Sequence, residues 1–315
     1  MEPRGARLKQ LVVTGDDFGF STGVNRAIAE AYDRGVLTSA SLMVTGDAWK
    51  EAVSLARSRP GLAVGLHLVL VRGSAALPPS AIPLLVDRDG RFRDSPTAAG
   101  LLYRLRPGAR GQLRCEIRAQ LSRFRETGLP LAHVDGHLHL HVHPDVIGAI
   151  ADLAPEFDIP SVRLPHEELA LAWRLDPRRP AAKVASAAVF GLLRRRAARR
   201  LRAAGVRIAD RVYGLHRTGR VDEAYLLALV PRLTASWSEI YCHPALAVEG
   251  EPENGPAGAG RRELDAVLSP RVRAAIAEAG LILAGSSDAV ETMRALEPDP
   301  PRRAPGRPAV APGAR

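Results

Sequence analysis

Between positions 133 and 143 the chain reads His-Val-Asp-Gly-His-Leu-His-Leu-His-Val-His, which gathers five of its nine histidines. Imidazole is the commonest protein ligand for transition metals, and it titrates near neutral pH. Side chains at i and i+2 of an extended strand share a face. A strand here would set His133, Asp135, His137, His139, His141 and His143 along one side. Such a row is costly as core and suits a metal or acid–base site. Geometry admits two or three of the histidines as ligands, leaving the others to orient ligands or bind substrate. A solvent-facing strand edge or an adventitious metal-binding tract is the alternative.

Further positions carry the same kinds of group. Gly15-Asp16-Asp17-Phe18-Gly19 places two adjacent carboxylates directly after an apolar run. Two carboxylates at a strand end can divide roles, one binding a cation and the other taking a proton from water. The same pentapeptide is also a good turn. His67 lies in Val64-Gly-Leu-His-Leu-Val-Leu70, where a core histidine is the plain alternative. Gly65 beside it allows a close backbone approach. His243 ends Glu239-Ile-Tyr-Cys-His243, as a strand terminus or an acid–base group, and Asp288 follows Leu281-Ile-Leu-Ala-Gly-Ser-Ser287.

A repeated strand–helix pattern must position these groups. Apolar runs predict strands at residues 10–14, 37–45, 62–70, 133–143, 161–164, 239–242 and 281–284. Between them, Val24, Ala27, Ile28 and Ala31 form a helical stripe, with Ser21 or Thr22 as N-cap and Gly35 as stop. Asp47 is expected to cap a helix over 48–58. Leu113, Ile117, Leu121 and Phe124 mark another helix, Pro144 opens a third, and a later one covers 270–279. The alternation implies a parallel sheet with helices outside. Its length suits an α/β fold of (β/α) barrel-like, distorted TIM type, with a doubly wound sheet as the alternative. Asp16, Asp17, His67, Asp135, His137, His243 and Asp288 would then lie at the carboxyl ends of strands, where barrels build active sites.

The expected organisation is one catalytic domain over residues 1–296, with a Pro-, Gly- and Arg-rich insertion at 71–109 reaching partly over the site. The Pro- and Arg-rich tail at 297–315 reads as disordered. The net charge is +10, and the basic residues are almost all arginine, which fits a coding bias. Aromatics are 4% of residues, too few for base-stacking platforms, so nucleic acid is not an expected partner. Cys115 and Cys242 show no metal-type spacing and form no disulfide framework. No signal-type or membrane-spanning stretch is evident, so the expected location is cytoplasmic. The apolar-then-arginine run 184–204 reads either as a solvated helix or as peripheral contact with an anionic membrane face.

Thr14-Gly-Asp-Asp-Phe-Gly19, Val64-Gly-Leu-His-Leu68 and His133-Val-Asp-Gly-His-Leu-His139 together resemble the YdjC-like (chitooligosaccharide deacetylase-type) carbohydrate deacetylases. Glu239-Ile-Tyr-Cys-His-Pro244 is similar to that family's late His-Pro motif, with Ala245 where the family usually has glycine. Leu66-His-Leu-Val-Leu-Val-Arg-Gly73, Ile82-Pro-Leu-Leu-Val86 and Asp89-Gly-Arg-Phe-Arg93 resemble the branch associated with hopanoid biosynthesis. The resemblance implies a barrel-like fold and a divalent-metal hydrolase that deacetylates an N-acetylated amino sugar or glycolipid. It implies Asp17, His67 and His137 as ligands and Asp16 as the catalytic base. It points to Mg2+, whereas two imidazoles and a carboxylate also suit Zn2+. His243 is the expected acid, with His139 or a proton recycled on Asp16 as rivals. Asp135 and His139 are expected to orient ligands or bind substrate. Another metal hydrolase, such as an amidohydrolase or phosphoesterase, and a non-catalytic sugar-lipid binding protein remain alternatives.

Overall fold

A computed structural model describes residues 8–178, 180–252 and 254–295. Seven strands are formed among the described residues: β1 (Lys9–Phe18), β2 (Ser39–Leu42), β3 (Ala63–Leu68), β4 (Val134–Gly136), β5 (Arg211–Tyr213), β6 (Trp237–Cys242) and β7 (Leu281–Leu283). Every strand pair is parallel, and the order is β4-β3-β2-β1-β6-β5, with β7 also on β1. The carbonyls of Leu11 and Val13 accept from Ala284 and Thr38 respectively. Two residues apart, they share one edge of β1. That edge therefore carries β7 along its amino half and β2 along its carboxyl half, while β6 takes the other edge. Single bridges Val134↔Val162 and Ser161↔Arg207 carry the curl past β4. The result is an α/β half-barrel with helices outside, whose apolar core runs from Leu11 to Leu281.

The helix Thr22–Arg34 starts on Ser21, whose side chain accepts from the Val24 N–H, and stops at Gly35. A Cβ on Gly35 would lie 2.5 Å from the carbonyl oxygens of both Ala31 and Val267, so only glycine fits there. The helices Ala109–Glu126, Pro144–Phe157 and Pro270–Glu278 lie where their apolar spacing placed them.

Several elements depart from the sequence reading. The expected strand over 133–143 ends at Gly136 because β3, its ladder partner, ends at Leu68. The chain then enters a tight helical turn, His137–Val142, in which Leu138 and His139 take left-handed φ values of 51° and 56°. The histidines therefore splay rather than share a face. The expected strand at 161–164 is reduced to single bridges. Asp47 does not cap the helix Trp49–Arg57, whose N-cap is Ala48 with no side-chain cap bond. The insertion at 71–109 is packed and contains a helix, Pro96–Leu105, capped by Ser95. Strand β5 and the helix Leu169–Leu175 carried too little periodicity to be read, and the basic run forms part of a long helix, Pro180–Ala203. Among the described residues no helix is long and apolar enough to cross a membrane. The tail at 297–315 lies outside the described residues.

Candidate metal centre and active site

A defect in strand pairing lets two neighbouring carboxylates serve one cleft. β1 and β2 pair at Gly15↔Ala40 and again at Phe18↔Leu42, so three steps on β1 match two on β2. Such a bulge breaks the strict alternation of side chains and re-aims them. Asp17 takes φ 63°, a left-handed conformation that aspartate tolerates better than most residues. Both Asp16 and Asp17 thereby line a cleft of about 490 Å³, together with His67, His137, His139 and His243.

Three donor atoms converge at its base. Oδ1 of Asp17 lies 2.8 Å from Nδ1 of His137 and 3.2 Å from Nε2 of His67. All three side chains are buried, and their ligand atoms lie within 4.8 Å of one another. Asp135 does not line the cleft; it sits behind His67 and accepts from its Nδ1 at 2.7 Å. A carboxylate on the far ring nitrogen of a histidine fixes its tautomer and orientation, as in many metal sites. His133 lies deeper, with Nε2 3.0 Å from Ser41 Oγ and Nδ1 2.9 Å from Ser286 Oγ. A Cβ on Gly65 would come within 2.4 Å of the His133 ring, so the close approach this glycine allows is by an imidazole.

The buried charges around these donors suit a cation. Arg163 is buried and pairs with Asp16 and Asp135, each at 2.7 Å, and with Glu239 at 2.9 Å. Three buried carboxylates thus share this one guanidinium, and Asp17, a fourth, meets His67, His137 and Asn254 instead. Uncompensated buried charge is expensive, and the neighbourhood responds. Burial works against the His67 imidazolium, but Asp135, Asp17 and Asp16 outweigh it and hold its pKa well above the usual value. Burial likewise opposes the Asp17 carboxylate, yet His137 and His67 hold it well below the usual range. A divalent ion would supply positive charge there in place of the imidazole protons, and two imidazoles with a carboxylate are a suitable donor set. The residues fit a metal.

Two groups flank these donors. Oδ2 of Asp16 is held by Arg163, while its buried Oδ1 accepts no hydrogen bond from the described residues. His243 places Nε2 3.9 Å from Asp16 Oδ2 and Nδ1 3.8 Å from Glu263 Oε2. Burial pulls its pKa down, but Glu263, Asp17 and Asp16 together push it up to about 9. His139 bonds the Tyr241 hydroxyl at 2.8 Å. Burial, with His141, Arg163 and His243 nearby, holds it well below the usual pKa. His141 meets the Arg163 carbonyl and His143 accepts from the Asp145 N–H, so both serve the fold.

Asp288 is misplaced in the sequence reading. Because β7 pairs only with Lys9–Leu11, its carboxyl end opens at the amino side of the sheet. Asp288 bonds the Gly285 N–H and lines a pocket with Leu62, Ala63 and Leu131. Sequence reasoning also missed Arg163, Glu239, Asn254 and Glu263. Arg163 and Glu239 had a signal, each being the lone charge in a short apolar strand-like run. Asn254, in a Gly- and Pro-rich stretch, had none.

The fold and cleft define the class: an α/β half-barrel with a histidine–carboxylate centre suited to one metal ion. The chain matches the family model described as YdjC-like protein over residues 10–278, and it belongs to that family. It is 31% identical over 283 residues to the chitooligosaccharide deacetylase of Serratia marcescens, a match covering 89% of this chain and 99% of that protein. It is 43% identical over 156 residues to the carbohydrate deacetylase of Brevibacillus brevis, covering 50% of this chain and 59% of the relative's length. Among solved structures it is similar to a putative cellobiose-phosphate cleavage protein from Enterococcus faecalis V583. The TM-score is 0.70 at 25% identity, over 89% of this chain and 98% of the other.

Proposed function

We propose that the chain is a metal-dependent carbohydrate N-deacetylase that hydrolyses the acetamide of an N-acetylated amino sugar to the free amine and acetate. The observation that carries this reading is the convergence of Asp17, His67 and His137 at the base of one cleft, with Asp16 and His243 on its wall. The names of the relatives support the same chemistry.

Asp17 Oδ1, His67 Nε2 and His137 Nδ1 are the atoms that would hold the ion. A divalent cation bound there would supply Lewis-acid activation of water and of the acetyl carbonyl. Asp16 Oδ1, which accepts no hydrogen bond from the described residues, takes the proton of the attacking water as oxygen bonds to the acetyl carbon. Arg163 fixes the orientation of that carboxylate through Oδ2. When the carbon–nitrogen bond breaks, the amine needs a proton, because an amide anion is a very poor leaving group. His243, whose pKa Glu263, Asp17 and Asp16 push up to about 9, donates it. Asp135 and Arg163 do not touch substrate; they hold His67 and Asp16 in place.

The donor set favours Zn2+ or another transition ion over Mg2+, which prefers oxygen; the family resemblance favours Mg2+. A lipid-linked N-acetylglucosamine, such as an N-acetylglucosaminyl hopanoid, is the finer reading of the substrate. Phe20, Leu138, Phe190 and Leu215 support it by lining the cleft with apolar surface. Exposed Val189 and Leu192 flank Phe190 on its helix, and arginines follow, an arrangement suited to peripheral membrane contact.

The test incubates purified, metal-analysed protein with water-soluble N-acetylglucosamine oligomers and with the hopanoid-linked sugar, reading acetate release and loss of an acetyl group by mass spectrometry. Absence of acetate release from every N-acetylated sugar, with metal bound, sinks the reading. Release of phosphate from a sugar phosphate instead would favour a phosphoesterase.

A further inference from the structure

We propose that Asn254 is a positioning residue for the Asp17 carboxylate, and that Glu251 anchors the segment that delivers it. The proposal rests on the metal-hydrolase reading above and assigns a role to a stretch of chain that the reaction itself does not use.

Asp17 has two carboxylate oxygens with different neighbours. Oδ1 faces the two imidazoles, and Oδ2 accepts a hydrogen bond from Asn254 Nδ2 at 2.9 Å. The terminal torsion of aspartate is broad and roughly two-fold. Without a partner on Oδ2, either oxygen could turn toward the ion, or both could bind together. The Asn254 donor leaves Oδ1 alone facing the histidines.

Asn254 can do this only if its own segment is held still. That segment joins β6 to the helix Ala259–Leu268 and contains no helix or strand among the described residues. Its backbone is tied at Ala245 N–H to Gly260 and at Leu246 N–H to the Gly23 carbonyl. The approach to Gly23 is close: a Cβ there would lie 2.1 Å from the Leu246 oxygen. Glu251 then grips the start of the helix Thr22–Arg34, accepting from the N–H groups of Thr22 at 3.0 Å and Gly23 at 2.9 Å.

A helix start carries unsatisfied N–H groups and favours negative charge. This helix has no acidic residue in its own first turn, so Glu251 supplies that charge from a distant part of the chain. The helix begins five residues after Asp17 and four after β1 ends. One rigid element therefore references both the carboxylate and the amide that orients it.

The experiment uses the full chain, stripped of metal, as wild type, Asn254→Ala, Glu251→Ala, Glu251→Gln and the Asn254→Ala/Glu251→Ala double variant. Zn2+ affinity is measured by calorimetry, Co2+ coordination by visible absorption, and metal-free stability by thermal melting. Asn254→Ala should weaken Zn2+ binding about 10- to 100-fold, the usual effect of removing a partner of a ligand. It should shift the Co2+ spectrum and leave the metal-free melt nearly unchanged. Glu251→Ala should lower the melting temperature and weaken Zn2+ binding by a smaller factor, and Glu251→Gln, which keeps an acceptor, should lie between it and wild type. The double variant should bind Zn2+ no more weakly than Asn254→Ala alone, because Glu251 acts through Asn254.

Wild-type affinity and spectrum in Asn254→Ala overturn the proposal, as do additive losses in the double variant. A wild-type chain that takes up no metal overturns the metal-site reading itself, which separates the two failures.

Discussion

His67 and Asp135 stand opposite each other in the β3–β4 register, and their side chains meet across the ladder at 2.7 Å, fully buried. The carboxylate is itself held by the Ser41 hydroxyl and Arg163. His67 is thereby locked with Nε2 toward Asp17. Asp135→Asn keeps an acceptor for Nδ1 but removes the charge that makes the imidazole a better ligand. Metal affinity should fall about 10- to 100-fold while the chain stays folded. Calorimetric titration of the metal-free variant checks this, and an unchanged affinity would show that Asp135 serves only the fold.

Asp16 and Asp17 are adjacent but face different partners, Arg163 for one and two histidines for the other. Asp16→Asn should therefore retain metal and lose turnover by orders of magnitude, whereas His137→Ala should lose both. Metal content by elemental analysis alongside acetate release separates the two. Near-normal deacetylation by Asp16→Asn would remove it as the base.

Glu167 offers a pH test away from the cleft. Burial pushes its pKa up to about 7, against 4.5 for a free side chain, despite hydrogen bonds from the N–H groups of His216 and Gly214. A carboxyl raised in the folded state favours folding when protonated. Its contribution is full below about 4.5 and is lost as pH rises through about 7. Glu167→Gln should accordingly gain stability relative to wild type between pH 5 and pH 8. Thermal melts at the two values check the difference; an equal offset at both would refute the assignment.

Gly65→Ala tests how tightly the layer beneath the site is packed. The added methyl would meet the His133 ring at 2.4 Å and disturb its bonds to Ser41 and Ser286. Overpacking of this kind costs about 1–3 kcal/mol. Chemical denaturation should show that loss, and a neutral substitution would mean that the ring has room to move.

Local patterns carried most of the elements. The helices starting at Thr22, Pro144 and Pro270 and the strands β1, β3, β6 and β7 were legible because apolar periodicity and caps act within a few residues. The residue types of the centre were legible for a related reason: paired aspartates and clustered histidines are costly unless they do something. Strand alternation failed as a guide in three places. The β1 bulge turned Asp16 and Asp17 to one cleft, the early end of β3 broke the histidine row at Gly136, and the position of β7 sent Asp288 to the opposite end of the sheet. Asn254 reaches Asp17, and Arg163 reaches Asp16, across more than a hundred residues of chain. Which residues are present, and which elements they tend to form, was thus decided by the chain alone. Which of them meet was decided by strand length, register and the compensation of buried charge, and these exist only once distant segments pack together.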